Sequence, residues 1–105
     1  MATDDSLIAA DLARAARALA QVSTAVVSTR TGLDAELVRD FEKGIGELDA
    51  EQNAVLRVGL EGLGVDFLPV DDEEGLGAGV RHRFNPRTVT RMENWENEGG
   101  PVAGA

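Results

Sequence analysis

The stretch STAVVSTRTGLDAELVRDFEKG, residues 23–44, constrains this chain more than any other. It holds two short helical patterns on either side of Gly32, the second closed by Gly44. Ser23 can cap the first helix through its hydroxyl, and Asp34 the second through its carboxylate. Val26 and Val27 give the first helix apolar positions. Leu37, Val38 and Phe41, at three- and four-residue spacing, give the second a stripe. Gly32 and Gly44 suit the left-handed backbone that ends a helix. Helices that cross steeply need a small residue and a tight turn between them, and Ser28 and Gly32 supply both. Leu33 reads as inward-pointing. With Val27, Val38 and Phe41 it predicts a locked pair, Phe41 reaching the first and fourth helices as well.

The flanks extend this pattern. A first helix is expected from about Ser6, with Ile8, Leu12, Ala15, Ala16 and Leu19 as its apolar stripe. Asp49, with Gln52 three residues on, predicts a capping box for a fourth helix. Val55, Leu56, Leu60 and Leu63 form the apolar face of that helix, and Gly59 and Gly62 on it permit close packing. From Gly64 the texture changes. Residues 65–70 and 80–84 read as two strands around the acidic, glycine-rich DDEEGLGAG connection. Pro69 places the first strand at a sheet edge. Asn85 and Pro86 can open a short helix with Val89, Met92 and Trp95 in line, ahead of a flexible end. The expected domains are a bundle over 6–64, a hairpin over 65–84 and a tail over 85–105.

Composition narrows the class. The chain has 105 residues, enough for one core. It contains no cysteine, which excludes disulfides, cysteine–zinc sites and a thiol nucleophile. No apolar run approaches a membrane span, and Asp11, Arg14 and Arg17 break up the N-terminal region as a signal peptide. A cytoplasmic location is the expectation. His82 is the sole histidine and reads as packed between Val80 and Phe84 on one side of the second strand. Asp71, Asp72, Glu73 and Glu74 lack the ligand spacing of a calcium loop and read as a solvated tip. No nucleophile, base and orienting group come together, so no enzyme, metal or cofactor is expected.

With ARALAQVS, the TG at 31–32, LVRDFEKG (37–44), LEGLGVDFLP (60–69) and GVRHRF (79–84), the chain resembles the lambda-repressor/Cro-type (XRE) helix-turn-helix family. The resemblance implies a mostly α fold: a four- to five-helix bundle followed by a C-terminal β-hairpin. It implies a DNA-binding transcriptional regulator whose second helix of the motif enters the major groove. Carried over, Ala35, Glu36 and Arg39 face base edges, while Thr24, Arg30 and Lys43 position the DNA backbone. Arg39 can read a guanine through two hydrogen bonds. Alternatively it pairs with Glu36 or Asp40 along the helix surface.

The formal net charge of −9 works against a polyanion. Within the bundle only Arg14, Arg17, Arg30, Arg39, Lys43 and Arg57 can neutralise phosphate, and Asp34, Glu36 and Asp40 stand around Arg39. A homodimer through the exposed edge of residues 65–84 would double that supply and set two recognition helices about 34 Å apart. The alternative is a protein-interaction module with little DNA binding. In it the acidic surface, Val26 and Leu37 dock a basic protein partner or a toxin.

Overall fold

Three of the four helices begin where a side chain satisfies free backbone N–H groups. In the computed structural model, which describes residues 7–85, the Ser23 hydroxyl accepts from Val26 N at 3.2 Å. Asp34 Oδ1 accepts from Glu36 N at 2.8 Å. Asp49 accepts from Gln52 N at 2.7 Å, and Gln52 Oε1 accepts from Asp49 N at 3.0 Å, completing the capping box. These caps open α2 (Thr24–Thr31), α3 (Ala35–Lys43) and α4 (Ala50–Gly62).

The first helix, α1, runs Ala10–Ala20. It starts later than the apolar spacing implied, because Ile8 has another partner. The Asn53 side chain on α4 accepts from Ile8 N at 2.8 Å and donates to Ile8 O at 2.9 Å. The Ile8 carbonyl is thus taken before a helix could use it, and Ile8 enters the core ahead of α1 instead.

The core gathers Ile8, Ala13, Ala16, Val27, Val38, Leu56, Leu60 and Val65. Each fully buried leucine or valine contributes about 1.5–3 kcal/mol. Small residues decide how closely the helices approach. A Cβ at Gly59 would lie 2.4 Å from Thr31 Cγ2, so α2 rests on α4 only because position 59 lacks a side chain. The expected α4 face is partly met: Leu56 and Leu60 are buried and Leu63 half-buried, while Val55 is exposed.

Strands β1 (Val65–Leu68) and β2 (Gly79–His82) form a two-stranded antiparallel sheet, with Val65 opposite His82 and Phe67 opposite Val80. Opposed residues share a face, and Val65, Phe67 and Val80 use theirs to pack on the helical core. Arg57 lies over the Phe67 ring at 5.7 Å. Asp66, on the other face, pairs with Arg83 at 3.0 Å. Both strands are shorter than the apolar runs. Pro69 has no N–H to continue the ladder, and pairing resumes only at an isolated bridge between Asp71 and Leu76. His82 and Phe84 are exposed rather than packed together; on β2, Val80 makes the contact with the core. The molecule is therefore mostly helical, four helices and one hairpin among the described residues. The short helix and flexible end expected after Asn85 lie outside them.

Candidate nucleic-acid interface

Helices α2 and α3 are joined by three residues. Gly32 turns the chain at φ 80°, its N–H bonded to Ser28 O at 2.8 Å. Leu33 N is held by Thr31 Oγ1 at 3.1 Å, and Asp34 caps the helix that follows. Val27 and Val38 are fully buried and Phe41 and Leu33 half-buried against the core, so the two helices are anchored through their facing sides. The opposite side of α3 is open. Glu36, Arg39 and Lys43 are exposed along one stripe.

What fixes α3 to α1 is a buried ion pair. Glu42 is 4% exposed. Its carboxylate accepts from Arg17 Nε at 3.0 and 3.1 Å and from Arg17 Nη2 at 2.8 Å. Arg17 also donates to Val22 O at 3.2 Å, and Arg14 donates to the Glu42 carbonyl. Hydrogen bonding to Glu42 outweighs the burial that opposes it and, with the carboxylate's charge, raises the Arg17 pKa above its ordinary value. The pair is a two-pronged clamp that ties α3 to α1. Sequence reading missed it. Glu42 sits between Phe41 and Lys43, and no local spacing links it to an arginine 25 positions earlier.

The predicted contact residues divide into groups. Arg39 Nη1 donates to Thr24 Oγ1 at 3.2 Å, so the first turn of α2 and the middle of α3 meet at the surface. Among the described residues no ion pair joins Arg39 to Glu36 or Asp40. Ala35 is half-buried in the first turn of α3, with Glu36 beside it and exposed; Lys43 is exposed in its last turn. Arg30 points elsewhere. Its Nη2 donates to Gly62 O at 3.2 Å, where its charge meets the negative end of α4.

Three further cations counted as phosphate partners are engaged elsewhere. Arg14 and Arg17 serve Glu42, and Arg57 pairs with Glu61 at 3.4 Å while covering Phe67. This leaves Arg39 and Lys43 on the open stripe of α3, with Glu36 also on it, the capping Asp34 just before the helix and the half-buried Asp40 alongside. Among the described residues no group of histidines and carboxylates could hold a metal ion, and no helix is long and apolar enough to cross a membrane. No protein-family model matches the sequence, and no curated protein matches it.

Proposed function

We propose that the chain is a helix-turn-helix DNA-binding regulator of transcription that acts as a homodimer. The reading is carried by one observation: α3 is anchored by Val38, Phe41 and Glu42 on its inner side and presents Glu36, Arg39 and Lys43 outward, with the Thr24 hydroxyl bonded to Arg39. In this reading α3 enters the major groove as in a lambda-repressor-like bundle. Arg39 reads base edges with Ala35 and Glu36 beside it. Thr24 and Lys43 meet phosphates. Arg30 plays a lesser part, because its guanidinium is engaged at Gly62. The hairpin supplies the dimer contact through its free strand edges, and regulation is by occupancy. The role is not catalytic.

A gel-shift series at low salt, comparing the natural chain with Arg39→Ala, tests the assignment. Loss of sequence preference supports it; unchanged affinity and preference remove Arg39 from recognition.

A second reading has its own observation. With three cations committed inside the fold, Asp34, Glu36 and Asp40 outnumber Arg39 and Lys43 around the open side of α3, and Val26 on α2 is 43% exposed. That surface suits a basic protein partner. Complete flow-through on heparin at about 50 mM salt, with a defined basic protein retained instead, favours this reading over the first.

A further inference from the structure

The hairpin's two edges are not equivalent. Arg83 N donates to Gly64 O at 2.9 Å, so the β2 backbone faces β1 at residues 83, 81 and 79. The alternate residues, Val80 and His82, turn their N–H and C=O groups to the outer edge. That edge is open: Arg81, His82 and Arg83 are all exposed. On β1 the outward groups belong to Val65, which is buried, and Phe67, which is half-buried, and Pro69 follows with no N–H. A strand edge as open as that of β2 is a template for pairing with another chain.

Charge is separated along the same hairpin. The turn carries Asp71, Asp72, Glu73 and Glu74, all exposed, and β2 carries Arg81 and then Arg83 towards its other end. A second copy pairing antiparallel along β2 brings its acidic turn to the basic end of the first, and the symmetry repeats the contact. Two-fold pairing also requires one residue to face its own copy. Centring on Arg81 sets it against itself, and centring on His82 sets Arg81 against Arg83; like charges directly opposite are destabilising. Centring on Gly79 sets Phe84 against Glu74. Centring on Val80 sets Arg81 against Gly79 and Arg83 against Gly77. Carried further, that register sets Phe84 against Leu76, two large apolar side chains that are 48% and 59% exposed. Arg83 then lies three residues, or roughly 10 Å, from Glu74 of the second copy, about one screening length at ordinary salt.

We propose that two copies join β2 to β2 about Val80 into a four-stranded antiparallel sheet, the acidic turn of each lying against the Arg81–Arg83 segment of the other. This arrangement rests on the reading of the hairpin as the dimer contact, and gives that contact one edge, one register and a charge pairing.

Sedimentation equilibrium without DNA tests it, at up to about 100 µM, enough to populate a weak dimer. Far-UV circular dichroism is the check on folding. His82→Pro removes an outward N–H and spares the ladder to β1. Two hydrogen bonds are lost per dimer, so association is expected to weaken about tenfold or more. A second variant combines Asp72→Asn, Glu73→Gln and Glu74→Gln. It lowers the repulsion between two chains of charge −9, so net charge alone predicts tighter association. Pairing of turn with strand predicts association several-fold weaker and less sensitive to salt. The proposal is overturned by a natural chain that stays monomeric, by a dimer that His82→Pro leaves intact, or by tighter association of the turn variant. A dimer lost in His82→Pro, from a chain that prefers no DNA sequence, supports the pairing and counts against the DNA reading alone.

Discussion

The Arg39 guanidinium is hydrogen-bonded to the Thr24 hydroxyl at 3.2 Å, tying the middle of α3 to the first turn of α2 across the open side of the pair. Both groups are near solvent, so the bond contributes only a few tenths of a kcal/mol to folding. Its consequence is positional: it aims the guanidinium along the outer surface without locking it in the core.

For DNA binding the expectation is therefore asymmetric. Arg39→Ala should weaken binding at the preferred site by about 1–3 kcal/mol. Thr24→Val should weaken it less. The two should be non-additive, since Thr24 acts in part through Arg39. Titration of all four members of the cycle against one DNA fragment checks this, and full additivity would separate the two residues.

Glu42 should be far more expensive to change. Glu42→Ala leaves Arg17 without its two-pronged partner and is expected to cost about 3 kcal/mol, the low end for a broken buried pair because the Arg17 side chain keeps some exposure. Urea unfolding measures it. The double variant Arg17→Met with Glu42→Leu should recover most of the loss. On the cationic side the pair does not titrate in the ordinary working range. The Arg17 pKa is raised, so its contribution is complete below the usual arginine value and is lost only as the pH climbs beyond it.

A further prediction concerns the α2–α4 contact. On helix propensity alone Gly59→Ala would stabilise α4 by about 1 kcal/mol. The new methyl would instead meet Thr31 Cγ2, and Thr31 cannot swing aside cheaply while its hydroxyl donates to Val27 O at 2.8 Å. Net destabilisation of about 1–2 kcal/mol is expected. Thr31→Ser removes the clashing carbon and should reverse the sign. Thermal unfolding of the single and double variants decides between propensity and packing.

Gln21 provides a gain. It ends α1 in the left-handed region at φ 58°, where a side chain is strained. Gln21→Gly is expected to stabilise by about 0.5–1 kcal/mol, visible as a higher urea midpoint at unchanged slope.

What could be read from the sequence was what local chemistry writes. The caps at Ser23, Asp34 and Asp49, the turn at Gly32 and the burial of Val27 and Val38 follow from neighbours within four residues. The features that went unread join positions far apart in the chain. Asn53 reaches Ile8 across 45 residues and Glu42 reaches Arg17 across 25, and neither polar side chain announces burial in its own segment. The same cause explains the candidate site. Arg14, Arg17 and Arg57 look like free cations in a list of charges and become structural only when α1, α3, α4 and the hairpin are assembled.

The role proposed for α3 is to read DNA. Its most direct test is selection of genomic fragments by the purified chain at low salt, repeated with Arg39→Ala. Reading by α3 in a homodimer would enrich fragments that share paired half-sites about one helical turn apart, with the shared sequence lost in the variant. Enrichment of no sequence by the natural chain, or the same sequences enriched by both proteins, would contradict it.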